Sequence, residues 1–143
     1  MPSFEHTVEI ARPPAEVFPW LLEADKVPRW TSALESYKPV TAGPPAVGSR
    51  FRQALDVKGR RITVELEITR LDPPRGAESR FSEHGFNVVT TYALAEVPAG
   101  TRLTQRIDAG FGSFSARLLA PVVEPYLREK LERDLAALHE QLS

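Results

Sequence analysis

The C-terminal stretch, residues 112–143, constrains the fold of this chain more than any other part of it. Leucines recur there in steps of four, four, three and four residues, which is the spacing of one buried stripe on an amphipathic helix. The stripe consists of Leu127, Leu131, Leu135, Leu138 and Leu142. The opposite face is charged, and Glu129 and Arg133 lie one turn apart, where opposite charges support a solvated helix. The pattern predicts a long helix whose apolar face the rest of the chain must cover.

Two prolines interrupt the apolar segment that leads into this stripe. Pro121 and Pro125 fall where a continuous helix would otherwise extend. A proline inside a helix removes a backbone hydrogen bond and clashes with the preceding turn, so we expect a kink or break near residues 117–121. The part after Pro121 would be about 33 Å long. A compact domain of this size is about 37 Å across, so this one helix would cross the whole molecule.

Upstream of the helix, apolar residues recur with a period of two, which indicates β-strands. A first strand at residues 4–10 precedes two short helical segments, one opened by Pro14 and distorted by Pro19, the other around Pro28. Six further strands end near Phe111, and the turns between them are short enough to make neighbours antiparallel. One apolar and one charged face indicate a sheet covered on one side. The sequence predicts an α+β domain: a curved antiparallel sheet of about seven strands wrapped around the C-terminal helix.

Five local motifs, in this order of elements, resemble one known superfamily. They lie at residues 10–18, 25–30, 47–51, 68–74 and 133–138. The chain is similar to the helix-grip superfamily of START-like lipid-transfer proteins and birch-pollen-type allergens (SRPBCC), and in particular to its bacterial polyketide cyclase/dehydrase branch. The resemblance implies a single START-like ligand-binding domain over residues 1–143, with a small hydrophobic ligand held between sheet and helix.

Several polar residues occupy strand positions that should face the helix. Gln53 is in phase with Phe51, and Gln105 is in phase with its apolar neighbours on the last strand. An unpartnered buried amide costs about 1–3 kcal/mol, so these side chains either pair within the core or line a partly wet cavity that orients a ligand. The resemblance favours the cavity. The candidate ligand-binding residues are Trp30, Phe51, Gln53, Phe86, Thr90, Tyr92, Gln105, Phe111, Phe114, Leu118, Val122 and Tyr126.

Other kinds of site find little support in the sequence. There is no cysteine, and His6, His84 and His139 lack a second ligand at a helical metal-binding spacing. Residues 110–112 are similar to the start of a dinucleotide-binding turn, but no strand is predicted after the helix to complete a βαβ unit. The loop at residues 43–48 lacks the lysine and hydroxyl residue of a P-loop. We expect no metal, no cofactor and no assigned catalytic residue.

The overall composition is that of an ordinary globular protein. The net charge is −1 and 42% of the residues are hydrophobic, so nothing suggests binding to nucleic acid or to an anionic membrane. No apolar run approaches the ~20 residues of a membrane span, and residues 5–9 do not look like a signal peptide. We expect a cytoplasmic monomer or homodimer without stable membrane insertion, whose partner is a small hydrophobic molecule.

Three functional hypotheses follow. The leading one is binding or carrying of a lipid or polyketide-like aromatic. The first alternative is a cyclase or dehydratase that uses pocket residues as general acid or base, for which His6, Tyr92 and Tyr126 are the titratable candidates. No pair of inward carboxylates is evident to support it. The second alternative is a protein-interaction module that binds a partner through an edge strand or the mouth of the pocket.

Overall fold

The computed structural model describes residues 2–143. Its strands are β1 (Ser3–Ile10), β2 (Leu34–Pro39), β3 (Arg50–Val57), β4 (Arg60–Asp72), β5 (Gly76–Glu83), β6 (Phe86–Val97) and β7 (Gly100–Phe111). Its helices are α1 (Pro14–Val17), α2 (Phe114–Leu118) and α3 (Ala120–Gln141), and two 3₁₀ turns lie at Phe18–Leu21 and Val27–Arg29. The strands form one sheet in the order β1-β7-β6-β5-β4-β3-β2. Every neighbouring pair is antiparallel, so the expected seven-stranded α+β architecture is confirmed.

The C-terminal helix has the interruption that its prolines predict. Leu119 separates α2 from α3 and has φ −90° and ψ −7°. From there α3 continues through Pro125 for 22 residues in all. Within residues 2–143, no helix combines the length and the apolar character that crossing a membrane requires.

The leucine stripe of α3 faces the sheet, as predicted. Leu131, Leu135 and Leu138 are fully buried, whereas Glu129 and Glu132 are exposed. Burying a leucine side chain contributes about 1.5–3 kcal/mol, so this stripe supplies much of the attachment between helix and sheet.

The C-terminal half of α3 closes one end of the molecule, which we call the packed end. The packed end is formed around Ile10, Thr101, Leu103, Leu135 and Leu138, all at most 1% exposed. The helix is fixed there by hydrogen bonds as well as by packing. His139 Nδ1 lies 2.9 Å from the carbonyl oxygen of Glu9, and Arg12 Nε donates to the carbonyl of Leu142 at 3.2 Å. The buried hydroxyl of Thr101 is also satisfied, because it donates to the carbonyl of Arg12 at 2.6 Å.

The sheet splits between β4 and β5. These strands pair only over residues 67–72 and 76–80, and the first seven residues of β4 pair with β3 alone. Two side chains bridge the split. Glu83 Oε2 accepts a hydrogen bond from the backbone nitrogen of Glu65 at 2.5 Å, and His84 Nε2 lies 3.1 Å from the carbonyl oxygen of Thr63. Side chains thus take the place of the missing backbone ladder.

Candidate functional site

A cavity of about 170 Å³ lies between the concave face of the sheet and the first half of α3. Its apolar wall consists of Leu21, Leu22, Val27, Trp30, Leu55, Leu66, Phe81, Val88, Ile107, Leu127 and Leu131. An apolar protein cavity of about 150 Å³ binds benzene, so this one has room for a single ring. We call the part of the molecule around it the cavity end.

Two buried polar atoms in the cavity wall have no hydrogen-bond partner among residues 2–143. They are Gln105 Oε1, on β7, and the hydroxyl of Tyr126, on α3. The other three buried polar or charged residues in that range are all hydrogen-bonded: they are Ser49, Thr101 and Asp134. Since unpaired buried polar groups are rare in folded proteins, these two atoms mark the cavity as a place where a polar partner is missing.

A buried ion pair forms part of the cavity wall beside them. Lys130 Nζ lies 2.7 Å from Asp134 Oδ2, and their side chains are 14% and 8% exposed. The lysine also donates to the carbonyl oxygen of Ser32 at 2.6 Å, while the backbone nitrogen of Ser32 donates to Asp134 Oδ1 at 2.9 Å. Burial lowers the pKa of Lys130, and the Asp134 carboxylate opposes that shift. The pair ties α3 to the loop before β2.

All three tyrosines of the chain line the cavity. Burial raises the pKa of Tyr37, and the neighbouring Tyr92 adds to the shift. Burial also raises the pKa of Tyr92 and of Tyr126, with a further contribution in both from the charge of Asp134. The phenols therefore stay protonated at neutral pH and act as hydrogen-bonding groups rather than bases.

Six of the twelve candidate ligand-binding residues meet at the cavity. They are Trp30, Gln53, Thr90, Tyr92, Gln105 and Tyr126. Phe51 is buried outside the wall and stacks on Tyr37 with ring centroids 5.0 Å apart. Phe86 and Phe111 pack edge to face at 5.6 Å, also outside the wall.

The other three candidates are on the surface. Phe114, Leu118 and Val122 are 75%, 65% and 51% exposed and do not line the cavity. On α2 the buried position is taken by Ala116 instead, and Phe114 and Leu118, one turn apart, lie on another face of this helix. The apolar walls expected from these three residues are supplied by the sheet and the 3₁₀ turns.

Lys130 and Asp134 line the cavity but are not among the candidates predicted from the sequence. His6, proposed as a titratable candidate, does not line the cavity, although it pairs with Gln105 in the β1–β7 ladder. A signal for Asp134 was present, because it lies three residues after Leu131 and four before Leu138. That spacing places it on the buried face.

Phe81 stands between the cavity and a second depression on the outer face of the sheet. The outer depression, about 420 Å³, lies at the split between β4 and β5 and is lined mostly by charged residues. Phe81 contributes to the walls of both. The two depressions therefore meet at Phe81, at the point where the sheet lacks backbone pairing.

The curved sheet, the C-terminal helix and the cavity between them define a helix-grip protein of the START-like class. Over residues 1–143 the chain matches the model of the family described as polyketide cyclase / dehydrase and lipid transport. The protein belongs to this family. No curated protein matches the sequence.

Solved structures share this fold at low sequence identity. The TTHA0849 protein of Thermus thermophilus has a TM-score of 0.82 at 19% identity, covering 99% of this chain and 97% of that one. A START superfamily protein of Mycobacterium smegmatis has a TM-score of 0.81 at 14% identity, covering 98% and 96%. The di-domain ARO/CYC BexL from the BE-7585A biosynthetic pathway has a TM-score of 0.79 at 15% identity, covering 99% of this chain and 50% of that one.

Proposed function

We propose that this protein, as one ligand-binding domain over residues 1–143, binds a small hydrophobic molecule in the cavity and carries it without chemical change. The observation that supports this most is the combination of an apolar wall with two unpartnered buried polar atoms, Gln105 Oε1 and the Tyr126 hydroxyl. Ligand sites typically combine an apolar lining with a few polar groups that fix orientation. The family description includes lipid transport, which agrees with a carrier.

The chemistry of the wall favours carriage over catalysis. General acid–base work at neutral pH needs a group whose pKa lies near 7 and that can reach the substrate. The pKa values of Tyr92 and Tyr126 are raised from ordinary values that are already near 10. Lys130 is held by Asp134 and by the carbonyl of Ser32. The raised pKa values of the tyrosines and the occupied donors of Lys130 support carriage rather than proton transfer at neutral pH.

The test is a calorimetric titration of the full chain with toluene, a ring that the cavity volume admits. We expect saturable binding at one site. Thr90→Phe, which fills the cavity from β6, should abolish it. Thr91→Phe is the matched control, because neighbouring strand residues point to opposite faces, and it should bind toluene as the native chain does. Absence of binding of both toluene and p-cresol, or equal toluene binding by both variants, would contradict the proposal.

A cyclase or dehydratase is the second candidate function. It is favoured by one specific observation, the buried Lys130–Asp134 ion pair beside two cavity phenols, because perturbed titratable groups cluster at active sites. The family description also names cyclases and dehydrases. In this reading, Tyr126 or Tyr92 would donate a proton to a ligand oxygen.

The two functions are separated by following the ligand over time. The full chain is incubated with a panel of single-ring, polyketide-like aromatics, and absorbance and mass are recorded over hours. The carrier proposal predicts no change in either. Turnover that is lost in Tyr126→Phe, while ligand binding is retained, would establish the enzyme instead.

A further inference from the structure

The unpartnered atoms of the cavity restrict which ligands it can accept. Gln105 is 8% exposed, and its Oε1, an acceptor, has no hydrogen-bond donor among the described residues. An apolar ligand would leave this atom unpaired and desolvated, which carries a penalty. A ligand with an O–H or N–H group removes that penalty. The Tyr126 hydroxyl, also unpartnered within residues 2–143, can either donate to the same ligand or accept from it.

The charged groups of the cavity exclude an ionised ligand. Among the described residues, Lys130 is the one cationic side chain in the wall, and its ammonium group has three donors. Three acceptors surround it: Asp134 Oδ2 at 2.7 Å, the carbonyl oxygen of Ser32 at 2.6 Å and the Ser32 hydroxyl at 3.4 Å. No donor is left for a ligand carboxylate. Both Asp134 oxygens are also engaged, by Lys130 and by the backbone nitrogen of Ser32.

Two polar groups on the aromatic side of the wall are already bonded. Trp30 Nε1 donates to the carbonyl of Trp20 at 2.8 Å, and the Tyr37 hydroxyl donates to the carbonyl of Leu22 at 3.4 Å. Their rings therefore present apolar surface to the cavity. A flat ring fits such walls, since aromatic side chains pack favourably against another ring.

The volume of the cavity limits the size of the ligand. Pockets for drug-sized ligands measure about 300–1,000 Å³, whereas this cavity measures about 170 Å³. It is close to the volume of about 150 Å³ that accommodates benzene. A single substituted ring fits, and a fused-ring polyketide or a long acyl chain does not fit without expansion of the cavity.

We propose that the ligand is a neutral single-ring phenol whose hydroxyl group donates a hydrogen bond to Gln105 Oε1. This inference rests on the proposed binding function and narrows it to one ligand class. A hydroxyl group suits the site in particular, because it can donate to the amide oxygen of Gln105 while its own oxygen can still accept a hydrogen bond from the Tyr126 hydroxyl. The phenol ring occupies the space between the aromatic side chains of the wall and α3.

Three ligands of equal ring size test it: p-cresol, toluene and p-toluate, titrated calorimetrically into the full chain at pH 7. We expect p-cresol to bind about tenfold more tightly than toluene, because one additional hydrogen bond to a buried acceptor typically improves the affinity by about that factor. We expect no measurable binding of p-toluate, because its carboxylate finds no free cation. Equal affinity for p-cresol and toluene, or tightest binding of p-toluate, would overturn the ligand class while leaving the binding function in place. If none of the three binds, the binding function fails as well.

A variant of Gln105 tests whether this residue causes the preference for p-cresol over toluene. In Gln105→Leu, the ratio between p-cresol and toluene affinities should fall to about one, with toluene binding kept. The control is Thr104→Val, on the same strand, since the Thr104 hydroxyl lies 2.9 Å from that of Thr7 away from the cavity. It should keep the tenfold preference. A preference that persists in Gln105→Leu would assign recognition to another group and overturn the role given to Gln105. Should that variant not fold, the ratio measured on the native chain still decides the ligand class.

Discussion

Two buried polar residues on β7, four positions apart, show how the two ends of the molecule differ. At the packed end, Thr101 is fully buried, and its hydroxyl donates to the carbonyl of Arg12. At the cavity end, Gln105 is nearly as buried, and its Oε1 has no partner among the described residues. Folding alone supplies a hydrogen-bond partner for the Thr101 hydroxyl. Gln105 keeps a free acceptor beside a void, although burial of such an atom carries a penalty of about 1–3 kcal/mol.

The contacts around the two residues differ between the packed end and the cavity end as well. Around the packed end, α3 is fixed to β1 by Leu135, Leu138 and the His139–Glu9 contact. Around the cavity end, β4 and β5 lose their backbone pairing next to Phe81. At the packed end, folding supplies partners for the buried polar groups, whereas the cavity end keeps unpartnered polar atoms at the place where we propose that the ligand binds. The predictions below test this division.

The largest loss of stability is expected when the ion pair of the cavity wall is broken. Asp134→Ala leaves the buried Lys130 without its counter-charge and should destabilise the protein by about 3–5 kcal/mol. Urea unfolding followed by circular dichroism measures it. Glu132→Ala, on the exposed face of α3, is the control and should shift stability by less than about 0.5 kcal/mol. A loss below about 1 kcal/mol in Asp134→Ala would show that the pair is solvated in solution.

A somewhat smaller effect is expected at the packed end. Leu135→Ala removes a fully buried side chain and should cost about 3 kcal/mol, within the roughly 2–5 kcal/mol typical of such changes. Leu118→Ala, at a 65% exposed position of α2, should cost less than about 0.5 kcal/mol. Similar losses in both variants, in the same urea assay, would mean that the buried face of the C-terminal segment is assigned incorrectly.

The smallest effect concerns the ionisation of the tyrosines. The pKa values of Tyr37, Tyr92 and Tyr126 are all raised above the ordinary 10.0, mainly by burial. The folded state therefore holds these protons at a pH where the unfolded chain releases them. Their contribution to stability is present below about pH 10 and is lost as the pH rises above it. Ultraviolet absorbance of the phenolate should show no tyrosine ionising with a pKa near 10 before the protein unfolds. A tyrosine that ionises with a pKa near 10 in the folded protein would be exposed to solvent, which would contradict the prediction.

The sequence was sufficient to predict the fold because its patterns are local. The leucine stripe of α3, the alternation along the strands and the break before Pro121 each follow from residue spacing. The sequence also indicates Gln105 as a candidate, because a polar residue in phase with apolar neighbours stands out from its strand, and Tyr126 as part of the apolar wall.

The composition of the cavity wall was harder to predict for a physical reason. Phe114, Leu118 and Val122 are apolar, and periodicity cannot tell how the short helix α2 is rotated relative to α3 across the break at Leu119. The sequence predicts no inward role for Asp134, since a charged residue is seldom buried unless it is paired. Its partner Lys130 lies one turn away, but the other half of the arrangement comes from Ser32, almost a hundred residues earlier. Contacts between such distant segments leave no periodic signal in the sequence.

The division between the two ends is tested most directly by a two-dimensional ¹H–¹⁵N NMR titration of the full chain with p-cresol. We predict saturable shift changes at the cavity end, including the side-chain amide of Gln105 and the backbone amides of Tyr126 and Lys130. The amides of Thr101 and Leu138, at the packed end, should stay unchanged. Shifts centred on the packed end or on the exposed residues of α2, or shifts that grow without saturation, would contradict the account.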